Sequence, residues 1–492
     1  MPSQPARCHI WAYSLVLVLV LVLVLCSASA PAAAANKQNL PTFGDASSGV
    51  VSLPQEREIG QDFLRSLRGQ APTIDDPILQ DYVEYLTYKL VSNSELNDRR
   101  LDLVVIDSPV LNAFAVPGGV IGVHHGLFHH AETQHEVAAI LAHEIAHLSQ
   151  RHFARGVEAQ QKSSLFNTAA LLASVVLMTT VGGEVGLAAL NTVQGVSLAK
   201  QLSHSRAQEA EADRVGIDTL TEADMDPRAM AYMFERLESA SRYSADEMPE
   251  FLRSHPVTRS RIADSYNQTT TLEKKSFPLN IDFQLMKARV KAITATSPND
   301  VLPAFRAGID HEDPIIRNAN RYGLVLALTA SSKFDEAHLQ LVPLLDAYPD
   351  KISLQITEAN IHLQAERYEA AKMRLESSLA VNPGNYPLTM ALARVLTHTD
   401  EAKRAQKLLS DMTINRKTDA YLWYHLAEAA GLAEDIIGVH WARAEYFLLT
   451  GNYEQALKQL NYAQPLVKRN FQQQAKIGQK IKEISNLQNK KR

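Results

Sequence analysis

Cysteine is almost missing. The 492 residues hold two, Cys8 and Cys26, and both precede residue 36. Charge is scarce there as well, since Arg7 is the sole charged residue before Lys37. A Leu/Val run from Ser14 to Leu25 and small residues from Ser27 to Ala35 complete the layout of a secretory signal over 1–35, with cleavage after Ala30 or near Ala35. The run is short for a membrane span, and the bulky Leu25 before Cys26 argues against lipidation. A mature chain starting near Asn36 has no thiol, so it has no disulfide, and its stability rests on packing and metal. Without Arg7 the balance is 48 basic to 54 acidic residues, a net charge of −6. With no basic stripe, this argues against a nucleic-acid binder. Export without cysteine suits the periplasm of a Gram-negative bacterium.

What is present begins with composition: 46% hydrophobic and 21% charged residues describe a folded chain long enough for two or three domains. The informative stretch is Thr133 to His152, TQHEVAAILAHEIAHLSQRH. On a helix, residues four apart share a face, so His143 and His147 can direct imidazole nitrogens at one cation. Glu144 then lies beside the metal, where a general base takes a proton from water. Two imidazoles and a carboxylate on an apolar helix are costly to bury without a partner. Thr133 with Glu136 reads as a capping box, and Val137, Ile140, Leu141, Ile145 and Leu148 form an apolar stripe. A catalytic zinc needs a third protein ligand and an open position. Glu209 is the candidate, with Asp213 one turn on and able to accept the free ring N–H of a ligand histidine. Glu211 points to another face and reads as surface.

Upstream, helices are expected over Pro54–Leu67 and Pro77–Val91, and strands over Leu101–Asp107 and Val120–Val123. Asn112, Ala113, Phe114 and Ala115, before a Pro117-Gly118-Gly119 turn, form an edge strand that can hold an extended peptide beside the metal. His124, His125, His129 and His130 match no ligand spacing and read as surface or loop-packing residues. The apolar segment 165–198 reads as a helical hairpin, either packed on the catalytic domain or in peripheral contact with a membrane. From about residue 300 the chain repeats. Phe334, Ala337, Leu341, Leu345 and Pro349 recur thirty-four positions later as Tyr368, Ala371, Leu375, Leu379 and Pro383, the tetratricopeptide period. About four units are expected, closed by a solvated Lys-rich helix.

The set HEIAH, SRAQEAEAD and SHPVTRSRI, preceded by NAFAVPGG, resembles the M48 family of zinc metallopeptidases. That resemblance implies one Zn2+ held by His143, His147 and Glu209, Glu144 as base, and a catalytic role for Asp213. The residue geometry makes Asp213 an orienter instead. His255 matches a family histidine on a loop over the site, where it can take the open metal position; a loop-stabilising role is the other reading. Relatives of this architecture carry cysteines joining the two domains. Here non-covalent packing must do so. The expected fold is mainly α: a zincin-type domain with a small sheet (36–275), a linker (276–299) and an α-solenoid of repeats (300–492). The implied function is a periplasmic endopeptidase and chaperone in outer-membrane β-barrel assembly and quality control. Its implied partners are unfolded or misassembled outer-membrane proteins and, through the repeats, the β-barrel assembly machinery. The alternative is a largely latent protease serving as a repeat-based scaffold.

Overall fold

Two helix-start signals open the part of the chain that the computed structural model describes, residues 51–160, 205–243 and 251–490. The expected signal (1–35) and apolar hairpin (165–198) lie outside these residues. Ser52 caps α1 (Leu53–Gln70) through a capping box with Gln55. Asp76 caps α2 (Pro77–Ser92) by accepting from the Leu79 amide, with Pro at the first helical position. Three short strands follow: β1 (Asp102–Ile106), β2 (Ala113–Val116) and β3 (Val120–His124). They lie in the order β1-β3-β2, with β3 parallel to β1 and antiparallel to β2. The β2–β3 turn uses Gly118 and Gly119, both at φ +83, a region costly for a side chain. β2 is thus an edge strand, as the sequence suggested. The histidines after the sheet differ from expectation. His124 and His125 are buried, because one ends β3 and the other turns into α3 (Gly126–His130). Burial holds the His124 ring neutral, its pKa pushed down to about 3.

The helix that carries HEIAH, α4 (Gln134–Ser149), is buried on every face from His135 to His147. The expected apolar stripe understates this, since Ala138, Ala139, Ala142 and Ala146 are as buried as the larger residues. Its capping box is half made. Thr133 accepts from the Glu136 amide, but the Glu136 carboxylate accepts from the Glu132 amide at 2.7 Å and pairs with Arg236 at 3.0 Å. Around α4 stand α5 (His152–Gln160), α6 (Arg206–Glu222), α7 (Ala229–Tyr243), the short α8 (Phe251–Ser254) and α9 (Arg259–Thr269). Gly216 lets α6 approach closely: a Cβ there would lie 3.3 Å from the His143 backbone nitrogen.

Residues 276–299 do not form an extended connection. They contain α10 (Ile281–Ile293), which buries Phe283, Leu285, Met286 and Val290. The repeat helices then alternate: α11 (Pro298–Gly308), α12 (Pro314–Ala330), α13 (Phe334–Ala347), α14 (Ile352–Gln364), α15 (Tyr368–Val381), α16 (Tyr386–Leu396), α17 (Ala402–Met412), α18 (Ala420–Leu432), α19 (Ile436–Leu449), α20 (Tyr453–Ala463) and α21 (Phe471–Lys490). Ala337, Leu341, Ala371 and Leu375 are fully buried at matching positions of α13 and α15. Each of these helices follows a left-handed turn residue, Ser332 (φ 57) and Glu366 (φ 58). The Lys-rich helix α21 is only partly solvated. Lys476 sits 4.0 Å from the Trp441 ring centre and Lys480 pairs with Glu445 at 3.1 Å.

Ion pairs join the repeats and α10 to the N-terminal helices. Arg416 reaches Glu84 at 2.9 Å, and Arg289 on α10 grips Asp76, the cap of α2, at 2.6 Å. Burial alone would raise the Asp76 carboxyl, but the charge and hydrogen bonds of Arg289 hold it below its ordinary value. A depressed carboxylate contributes its stability in full above about pH 4 and loses it as the pH falls through the lower folded value. Arg289→Met should therefore cost about 3–5 kcal/mol at neutral pH by stranding a buried carboxylate. Chemical denaturation should show the gap to the parent narrowing below about pH 4.

Candidate metal centre

One turn of α4 separates His143 from His147, and their Nε2 atoms stand 3.0 Å apart. α6 brings Glu209 to them, with Oε2 3.6 Å from His143 Nε2 and Oε1 3.5 Å from His147 Nε2. From the turn after α8, His255 places Nδ1 3.0 Å from Glu209 Oε1 and 3.3 Å from His143 Nε2. Ligand atoms of all four residues lie within 4.8 Å of one another, and all four side chains are buried. The sequence-derived set is brought together from three separate segments.

Proton positions follow from the outer partners. His143 Nδ1 lies 3.0 Å from Asp213 Oδ1, a carboxylate that favours the proton on Nδ1 and so turns the Nε2 lone pair toward a metal. Behind His147, the His152 Nδ1 is 2.7 Å from His147 Nδ1, and His152 Nε2 is 3.1 Å from Glu211 Oε2. His152 gives its Nε2–H to Glu211, so its Nδ1 accepts from His147, and the His147 Nε2 also carries a lone pair. Two lone pairs facing each other at 3.0 Å beside a carboxylate repel unless a positive charge lies between them. The donor set therefore fits a divalent ion of the zinc class. Burial pulls the His143 ring down, yet hydrogen bonds to Asp213 and Glu209 and their charges lift it to about 9, so without a metal the ring takes up a proton that a bound cation would displace.

Arg261 on α9 fixes the carboxylates. Its Nε and Nη2 each reach Asp213 at 2.7 Å, and Nη1 lies 2.8 Å from Glu209 Oε2. Burial would raise Glu209, but His255 and His143 hold it well below the carboxylate range; Arg261 and His143 do the same for Asp213. Glu144 differs. Burial pushes its carboxyl up, Oε2 accepts the Ala115 amide at 2.8 Å, and Oε1 has no hydrogen-bond donor among the described residues, with His255 Nε2 at 3.5 Å.

The edge-strand candidates divide by the pleat. Asn112 gives its carbonyl to the His124 amide, so Asn112 and Phe114 turn their backbone to β3 while Ala113 and Ala115 face the open side. The Phe114 ring packs edge-on against Phe63 at 5.9 Å, away from that side. Two residues of the site carry no signal in the sequence, His152 and Arg261, and a third, Glu211, reads there as surface. Glu211 is half-buried and paired with His152 and Arg155 rather than lying free on the surface. Loss of an outer partner of a ligand histidine typically costs 10–100-fold in metal affinity. His152→Ala should weaken metal binding by about that factor in a competition titration, with the far-ultraviolet spectrum unchanged.

Comparison with known proteins bears on this geometry. The profile of Peptidase family M48 matches residues 77–267, and that of the Tetratricopeptide repeat matches 362–429. The beta-barrel assembly-enhancing protease of Escherichia coli (strain K12) is 32% identical over 455 residues, covering 91% of this chain and 92% of that protein. This chain belongs to peptidase family M48. The beta-barrel assembly-enhancing protease of Yersinia pestis is 30% identical over 451 residues, 91% of this chain and 92% of the other. The mitochondrial metalloendopeptidase OMA1 of Schizosaccharomyces pombe is 29% identical over 219 residues, 43% of this chain and 60% of that one. The M48 match spans α4, α6 and the His255 turn, so every residue of the cluster falls inside it. Membership makes the chain a metallopeptidase, and the cluster is a group that could hold its ion.

Proposed function

We propose that the chain is a periplasmic Zn2+-dependent endopeptidase of outer-membrane β-barrel assembly and quality control, carrying out proteolysis and chaperone work on the same substrates. The observation that carries this reading is the convergence of His143, His147 and Glu209 beside the buried Glu144 carboxylate, whose Oε1 has no hydrogen-bond donor among the described residues. His143, His147 and Glu209 are the ligands, and Glu144 is the base. A zinc ion held there acidifies water and polarises a peptide carbonyl. Glu144 takes the proton of the attacking water on Oε1 and delivers it to the leaving amine as the C–N bond breaks. The outward backbone groups of Ala113 and the Ala115 carbonyl pair with an extended substrate, while the Ala115 amide holds Glu144 beside it. Asp213, His152 and Arg261 act through the ligands as positioning residues. His255 covers the remaining face of the cage and keeps the enzyme latent until its loop moves.

Support for the cellular role comes from the Escherichia coli and Yersinia pestis relatives, named for enhancing β-barrel assembly and matched along nearly their whole length. The repeats recruit misassembled outer-membrane proteins or the machinery that inserts them. Export rests on the layout of residues 1–35, and among the described residues no helix is long and apolar enough to cross a membrane. Chelated protein should stop cleaving an unfolded outer-membrane barrel protein and should recover on adding Zn2+. Cleavage that persists after complete metal removal rules the proposal out.

A further inference from the structure

The repeats hold a second convergence of metal-binding side chains, remote in sequence from the peptidase cluster. Glu358 and His362 are four apart on α14, so both project from one face. His338 meets them from α13. The three offer ligand atoms within 4.8 Å of one another, and the two rings lie 5.9 Å apart. All three side chains are half-buried, which leaves solvent a route in. Nδ1 of His338 and Nδ1 of His362 are both shielded from water and find no hydrogen-bond partner among the described residues. Shielded imidazole nitrogens are ordinarily satisfied, so two unsatisfied ones on facing helices call for an explanation. Arg374 pins the Glu358 carboxylate through Oε2 at 2.7 Å, which fixes its rotamer against the rings.

We propose that His338, Glu358 and His362 form a second divalent-metal site, of the two-imidazole, one-carboxylate kind that takes Zn2+ or a neighbouring first-row ion. α13 and α14 are consecutive antiparallel helices of the array, so the ion clamps the joint between them. In a stacked array each unit touches only its neighbours, and the rotation at each joint sets the curvature of the binding face. The site therefore stiffens one joint of the recruiting surface and leaves the peptidase chemistry to its own ion.

The count of bound ions tests this. Metal-free full-length protein is equilibrated with micromolar Zn2+ alone, and bound metal is measured by elemental analysis. The parent should hold two ions per chain, and His362→Gln and His338→Gln one each, with the parent's helical spectrum. His143→Ala should lose the peptidase ion and keep the one in the repeats. If both glutamine variants bind as many ions as the parent, the repeat site does not exist. Failure of the peptidase assignment shows separately, as an undiminished count in His143→Ala.

Discussion

Glu144→Gln will abolish cleavage of an unfolded protein while leaving the metal and the fold in place. The substitution is nearly isosteric, and the amide oxygen of glutamine can keep the hydrogen bond that Oε2 accepts from Ala115 at 2.8 Å. The contact between α4 and the edge strand therefore survives, as do His143, His147 and Glu209, none of which depends on Glu144 for its orientation. What disappears is the ability to take a proton. General-base participation is worth typically 10²–10⁴-fold, so single-turnover cleavage should fall by about 10³-fold with bound metal unchanged. An undiminished rate removes Glu144 from the chemistry. The same variant separates protease from scaffold in the cell. If it repairs every defect of a strain lacking the gene, the repeats do the main work and the peptidase is incidental.

The parts of the site that could be read from sequence are those fixed by one helix's own geometry. His143 and His147 share a face because a helix repeats every 3.6 residues, and Glu209 with Asp213 follows the same rule. The repeat period is legible for a similar reason, since Ala337 and Ala371 must be small wherever helices pack closely. Residues whose role depends on how segments fold back on one another were not legible. Arg151, at φ 51, ends α4 and turns His152 back under His147, and nothing in the spacing announces that reversal. Glu211 looked like surface because α5, which brings His152 and Arg155 to it, is a separate helix. Arg261 needed α9 to be laid against α6. The segment around α10 read as a connector because its buried residues follow no single stripe: it is covered by α2 and α3 on one side and α12 on the other.

Replacing His255 with Ala will raise proteolysis rather than lower it. The ring stacks on Phe251 at 4.7 Å and sits 3.0 Å from Glu209 and 3.5 Å from the Oε1 of Glu144. It thus fills the space between ligands and base that water and a scissile carbonyl must enter. The three proposed ligands, His143, His147 and Glu209, remain without it, the number a catalytic zinc needs. If the loop opens in about 1–10% of molecules, an ordinary minor-state population, removing the ring should speed cleavage about 10- to 100-fold at equal metal content. A structural ligand behaves in the opposite way, with rate and bound metal falling together, and that result would return His255 to the role of loop stabiliser. Opening has a defined cost in this fold, because Arg261 donates to the Pro256 carbonyl at 3.0 Å while also holding Asp213 and Glu209. Arg261, which holds both carboxylates, therefore also ties down the backbone next to His255. The Ala variant removes the ring and keeps that tie, which makes its rate a measure of the ring's blockade alone.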